Sequence, residues 1–226
     1  MIDDADREAL TRMAAGHRAE RAASATVLGA DVLRFEHALE RLDRDRLLDA
    51  LCERESEFVS NRIESRSGLI LIGTVPEAQP FVDLITHHAG SIVGHFGEDE
   101  SELLVPTLDS VQVIAYGHGD FIGPHFDNDN LLGDLPAHVR ARRITVDLHL
   151  HRHPKEFTGG MLRLFDHRRI DGEVAPASSF VEFEPVDNTM LAFSASTRHE
   201  VTAVRLPENR FADRRFALTA SFLAPH

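Results

Sequence analysis

The segment Gly123-Pro124-His125-Phe126-Asp127 places an imidazole and a carboxylate two residues apart. On an extended strand such residues point to the same side, so both can reach one ion. Alone, the pair fits a surface histidine beside a turn aspartate just as well. Residues further along widen the chemistry: Thr197-Arg198-His199-Glu200-Val201 lies between two apolar stretches, the second of which begins at Arg214-Arg215 and runs to Phe222. Two imidazoles and one carboxylate on one side of an iron ion would leave three adjacent positions open, enough for a bidentate co-substrate and O2. A guanidinium set deep among strands would offer a planar fork for the far carboxylate of a dicarboxylic acid. Alternation lets only one of Arg214 and Arg215 face inward.

Such residues need strands to hold them, and the second half of the chain supplies the pattern. β-branched and aromatic runs predict strands over Val111–Tyr116, Arg143–His151, Met161–Phe165, Phe180–Phe183, Met190–Phe193, Glu200–Val204 and Arg215–Phe222. Turn-forming residues separate them at Gly117-His118-Gly119, Asn128–Asn130, Gly159-Gly160, Asp171-Gly172 and Asp187-Asn188. Ahead of them, Leu47, Leu48, Leu51, Phe58, Val59 and Ile63 keep helical spacing, with Asp43 as N-cap. A second helix is predicted from Pro76, with Phe81, Val82, Ile85, Ala89, Ile92 and Val93 on one face. The expected fold is α+β: a double-stranded β-helix, or jelly roll of cupin type, with N-terminal helices packed on one sheet. Residues 1–30, with Leu10, Met13 and Ala14 as a short apolar stripe, read as an N-terminal helical or frayed arm. Residues 31–226 then make a single domain, with helical support over 31–109 and a catalytic core over 110–222.

The bulk properties bound the partners. A chain of 226 residues that is 42% hydrophobic can bury one substantial core. A formal net charge of -13 disfavours broad attraction to nucleic acid or anionic membrane. The start, Met1-Ile2-Asp3-Asp4, is acidic and lacks the apolar core of an export signal, and no run of about 20 apolar residues could span a bilayer. Cys52 is the single cysteine, so no internal disulfide can form. A cytoplasmic protein acting on a small molecule is expected; its oligomeric state stays open, a homodimer being one option.

From Ser110 to Phe222 the chain resembles the prolyl-hydroxylase-like branch of the 2-oxoglutarate/iron(II) dioxygenases. Four ordered segments carry the resemblance: Val113-Ile114-Ala115-Tyr116 leading into His125-x-Asp127, Arg142-Arg143-Ile144-Thr145, Gly159-Gly160-Met161-Leu162-Arg163-Leu164-Phe165, and His199-Glu200-Val201 ahead of Arg215-Phe216-Ala217-Leu218-Thr219. The resemblance implies that His125, Asp127 and His199 ligate iron(II), that Arg215 anchors 2-oxoglutarate, and that O2 is the oxidant. It further places Tyr116, Thr145 and His149 near the co-substrate. The implied reaction is hydroxylation of an unactivated C–H bond of an amino acid or small natural-product intermediate, with release of succinate and CO2. Hydroxylation of a prolyl-type side chain in a peptide or protein is the alternative, and a non-catalytic metal-binding sensor is a third reading.

The strand Thr145-Val146-Asp147-Leu148-His149-Leu150-His151 departs from the family pattern. The family commonly has a tyrosine where this chain has His149, and an apolar residue where it has Asp147. Alternation puts Thr145, Asp147, His149 and His151 on one face, where a carboxylate would repel 2-oxoglutarate unless paired. Asp147 and His149 are therefore expected to bond each other or a cationic group of the substrate. Asn128, Asp129 and Asn130, just past the triad carboxylate, are candidate substrate contacts. His149-x-His151-x-His153 has spacing that could imitate a separate metal site.

Overall fold

The computed structural model describes residues 26–128, 136–170 and 173–225. The arm expected over residues 1–30 lies mostly outside these, as do Asp129, Asn130 and the turn at Asp171-Gly172. The described part of the arm is not helical: Thr26–Leu28 forms strand β1. Strand β2 (Val32–Glu36) and helix α1 (Arg41–Glu53) follow. Next come three short strands, β3 (Phe58–Ser60), β4 (Arg66–Ser67) and β5 (Leu69–Leu71), and helices α2 (Gln79–His87) and α3 (Ala89–His95). The core strands are β6 (Gln112–Tyr116), β7 (Phe121–His125), β8 (Arg142–Leu150), β9 (Thr158–Gly159), β10 (Leu162–Ile170), β11 (Glu173–Phe183), β12 (Thr189–Ser194), β13 (His199–Val201), β14 (Val204–Arg205) and β15 (Arg215–Leu223), with a short helix α4 (Ala137–Arg140) before β8.

These strands make the expected jelly roll of two facing antiparallel sheets. The larger has the order β2-β12-β8-β15-β6-β5-β3; the smaller runs β1-β10-β13-β7-β4, with β11 also paired to β10. Period-two alternation explains how one strand serves two layers. On β8, Ile144, Val146, Leu148 and Leu150 join a core with Leu47, Leu48 and Leu51 of α1 and with Phe81, Ile85 and Ile92 of α2 and α3. On β15, Phe216, Leu218, Ala220 and Phe222 do the same. Full burial of the three α1 leucines stabilises the fold by about 1.5–3 kcal/mol each. The opposite faces turn toward the smaller sheet, where Tyr116, Leu191, Phe193 and Ala217 meet Leu162, Leu164 and Val201.

The helical support departs from expectation in two places. The spacing from Leu47 continues through Phe58 and Ile63, yet α1 stops at Glu53, and Phe58 begins an edge strand whose ring packs on Phe211 at 5.0 Å. Val59 and Ile63 are exposed. Asp43 lies in the first turn of α1, whereas Glu40 is the N-cap and makes no side-chain bond. The second helix breaks at His88 into α2 and α3, and both pieces still bury the forecast residues. Residues 31–109 are thus mixed rather than helical, with β2, β3 and β5 extending the larger sheet and β4 the smaller.

Candidate active site

His125 ends β7 and His199 begins β13, and these neighbouring antiparallel strands set the two residues directly opposite each other. Their ring centroids are 4.2 Å apart. The turn after β7 is tied to the opposite sheet through the Asp127 amide, which donates to the Ala195 carbonyl at 3.1 Å. The Asp127 carboxylate then lies 3.5 Å from Nε2 of His125 and 3.7 Å from Nε2 of His199. One ligand atom from each residue falls within 4.8 Å of the others, a span suited to one metal ion.

The surrounding bonds orient this donor set. Nδ1–H of His125 donates to the Gly123 carbonyl at 3.0 Å, and Nδ1–H of His199 donates to the Thr197 carbonyl at 2.9 Å. Each ring therefore turns its Nε2 lone pair toward Asp127, the arrangement that metal-binding imidazoles require. Thr145 on β8 donates to Asp127 Oδ2 at 2.5 Å. Burial opposes ionisation of Asp127, but His199 and His125, when protonated in the metal-free protein, and the Thr145 hydroxyl prevail, holding its carboxyl well below the usual range. Burial also lowers the His199 pKa, so a neutral imidazole is available as a ligand. Phe193 covers the His199 ring edge-on at 4.9 Å.

Deeper between the sheets lies Arg215, 1% exposed. It is the inward member of its pair, whereas Arg214 points outward over Phe211, 3.6 Å from Asp120. The Arg215 guanidinium stacks over the Tyr116 ring at 4.9 Å and donates from Nη2 to Nε2 of His149 at 3.2 Å. Its Nε and Nη1 are buried without a hydrogen-bond partner among the described residues. Unpaired buried donors of this kind are costly unless a ligand completes them. Burial, reinforced by the Arg215 charge, drives the His149 pKa far down, so His149 is a neutral acceptor. Burial likewise pushes the Tyr116 hydroxyl above its usual range.

Thr145, Asp147, His149 and His151 share one buried face, as alternation requires. The expected bond between Asp147 and His149 is absent: His149 meets Arg215, and Asp147 accepts from Thr219 at 2.6 Å. Burial first, then the nearby Asp127 charge, raise the Asp147 pKa to about 6. Asn128 donates to the Arg142 carbonyl at 3.2 Å, which anchors the turn past the triad; Asp129 and Asn130 are outside the described residues. Two contributors escaped the sequence reading. Thr219 is four residues beyond Arg215 on the same strand face, a spacing that could have revealed it. At Gly160, φ is +66° and an added Cβ would lie 2.8 Å from Cδ of Arg215, so the glycine makes room for the arginine. Arg163, from the same segment, points outward to Glu182 and Glu200. A cavity of about 920 Å³ elsewhere in the fold is lined by none of the triad residues, so donor chemistry rather than volume marks this centre.

A family model described as the 2OG-Fe(II) oxygenase superfamily matches residues 111–222, the stretch that carries both histidines, Asp127 and Arg215. The chain belongs to that superfamily. This oxygenase is also similar to an uncharacterised PKHD-type hydroxylase from Synechocystis, with 33% identity over 108 residues. That alignment covers 48% of the chain and 34% of the relative, so the chain spans about a third of the length of the curated relative it matches. Its fold is prolyl-hydroxylase-like. A prolyl-4-hydroxylase from Pseudomonas putida superposes with a TM-score of 0.59 at 18% identity, over 87% of this oxygenase and 94% of that chain. A Trichoplax adhaerens prolyl hydroxylase, solved with a hypoxia inducible factor peptide, gives 0.58 at 17% identity over 85% and 83%. The family to which this oxygenase belongs uses iron(II) and 2-oxoglutarate, and the donor set of His125, Asp127 and His199 fits such an ion.

Proposed function

We propose that the chain is an iron(II)- and 2-oxoglutarate-dependent hydroxylase acting on an amino acid or a small natural-product intermediate. His125, Asp127 and His199 hold the iron, and Arg215 receives the side-chain carboxylate of 2-oxoglutarate. The observation that carries this reading is the guanidinium of Arg215, buried with Nε and Nη1 unpaired, in the same interior as the two histidines and the carboxylate. A carboxylate arriving there gains a charge-assisted bond from a donor that the described residues leave unpaired.

Bound iron, with 2-oxoglutarate and O2, supplies the oxidation in which one oxygen atom enters the substrate C–H bond and the other enters succinate, with loss of CO2. The residues of the chain position and insulate that chemistry. Thr145 fixes the Asp127 carboxylate, and the carbonyls of Gly123 and Thr197 fix the two imidazoles. Tyr116 and His149 hold the guanidinium at its depth without adding a competing anion. Asp147, a buried carboxylate bonded only by the Thr219 hydroxyl among the described residues, is assigned to a cationic group of the substrate. We assign the enzyme to the cytoplasm, whose reducing conditions suit a chain with Cys52 as its single cysteine.

A peptidyl substrate is the second reading, favoured by the chain's similarity to a PKHD-type hydroxylase and to prolyl hydroxylases. The cofactor assignment is tested by anaerobic titration of the metal-free protein with iron(II) and then 2-oxoglutarate. The visible charge-transfer band of a chelated co-substrate is expected, and is expected to vanish in His125→Ala or His199→Ala. Iron binding without that band would end the 2-oxoglutarate reading. Succinate release with free amino acids against prolyl peptides then separates the two substrate classes.

A further inference from the structure

The three alternate histidines after Asp147 part company in the folded chain. His149 faces Arg215, whereas His151 and His153, just past β8, converge on Asp187 in the turn between β11 and β12. One ligand atom from each of His151, His153 and Asp187 falls within 4.8 Å of the others. The His151 ring is 4% exposed and stands edge-on to Phe157 at 5.4 Å. Its Nδ1–H donates to the Arg152 carbonyl at 2.8 Å, which leaves the lone pair on Nε2. His153 donates from Nε2 to Asp187 Oδ2 at 3.0 Å, and its ring lies 5.1 Å from that of His151.

Asp187 is held as a metal-binding carboxylate usually is, by donors behind it. The His151 amide donates to Oδ1 at 3.0 Å, and Arg44 reaches Oδ1 at 3.3 Å and Oδ2 at 2.8 Å. Arg44 also donates to the His151 carbonyl, so one guanidinium fixes both sides of the cluster. The three residues line a cavity of about 920 Å³ together with Glu40, Asp45 and Glu184 and with Arg41, Arg152 and Lys155. Acidic and basic side chains balance there, Lys155 being paired with Glu184 and Arg44 with Asp45 and Asp187.

We propose that His151, His153 and Asp187 form a second divalent-cation site, of the zinc class, separate from the His125–Asp127–His199 centre. Two imidazole nitrogens and one carboxylate oxygen suit zinc and its first-row neighbours better than magnesium or calcium, which prefer all-oxygen sets. Loading requires only that the His153 proton move from Nε2 to Nδ1, and the ion then replaces the His153–Asp187 hydrogen bond with two coordinate bonds. It ties the end of β8 to the β11–β12 turn, two residues from His149, and its role is that of a structural clip.

The test uses metal-stripped full chain carrying His125→Ala and His199→Ala, which removes the first centre, titrated calorimetrically with Zn2+. One equivalent is expected, with a rise in the unfolding temperature on loading. Adding His153→Ala, at an exposed position where folding is preserved, is expected to weaken that binding more than about tenfold and abolish the thermal shift. Asp187→Asn should do the same; if loss of the Arg44 partner unfolds it, His153→Ala decides alone. A double variant that binds no zinc, or one whose binding is unchanged by His153→Ala, overturns the proposal.

Discussion

Arg215 donates to Nε2 of His149 across 3.2 Å, in an interior where both side chains are sealed from solvent. Because the imidazole is neutral there, it supports the guanidinium without cancelling its charge. The charge stays available to a ligand.

Arg215→Ala is therefore expected to weaken 2-oxoglutarate binding about 10- to 100-fold, the worth of one charge-assisted pair, and to leave iron(II) affinity nearly unchanged. Calorimetric titration of both ligands checks this. Equal co-substrate affinity in the variant removes Arg215 from its assigned role.

Thr145→Val keeps the shape and strand preference of β8 but deletes the hydroxyl that bonds Asp127. Losing such a support to a ligand costs about 10- to 100-fold in metal affinity. Competition against a metal indicator measures the change, and an unaltered affinity would mean that the carboxylate needs no help from Thr145.

Asp147 links stability to pH. Its unfolded value is 3.8 and its folded value is raised to about 6, so between these values the folded state holds a proton that the unfolded state has released. That proton uptake makes stability fall as pH rises through this window, and above pH 6 the folded protein carries a buried charge at full cost. Asp147→Asn removes the penalty while keeping an oxygen for Thr219. Metal-free variant and parent should be alike near pH 4 and differ near pH 8, the variant being more stable by on the order of 1–3 kcal/mol. Urea unfolding at the two pH values decides it; a variant less stable at pH 8 contradicts the assignment.

Gly160→Ala adds a Cβ 2.8 Å from Cδ of Arg215 and 3.0 Å from Cγ2 of Val204, at a φ of +66° that suits glycine. Overpacking and backbone strain together should lower stability by about 1–3 kcal/mol. Displacement of Arg215 should also weaken 2-oxoglutarate binding while iron binding persists. Thermal unfolding and the two titrations test these effects, and wild-type co-substrate affinity would show that Arg215 adapts to the extra methyl.

Much of this protein could be read from residue order. His125 and Asp127 are set on one side by spacing along a strand, because a period of two fixes which side chains share a face without reference to distant contacts, and the family resemblance adds His199 and Arg215. The same rule placed Thr145, Asp147, His149 and His151 together and allowed only one of Arg214 and Arg215 to face inward; the family resemblance chose Arg215. The buried helix faces were legible too: Leu47, Leu48, Leu51, Phe81, Ile85 and Ile92 all meet the larger sheet. The short strands β1, β3, β4 and β5 were not, since they have two or three residues apiece and take their conformation from the neighbours that pair with them.

What sequence could not decide was who meets whom across the sheets. Periodicity gave Asp147 and His149 a common face but not separate partners; the register of β15 against β8 sets Thr219 opposite Asp147 and lets Arg215 reach His149. The apolar spacing through Phe58 satisfied a helix, and the packing of Phe58 on Phe211 and Phe216 favoured a strand instead. His151 and His153 looked like neighbours of His149, yet the end of β8 hands them to Asp187. In each case local spacing fixed the direction of a side chain, because backbone geometry repeats every few atoms. Its partner was fixed by strand pairing between residues far apart in the chain, which no local repeat encodes.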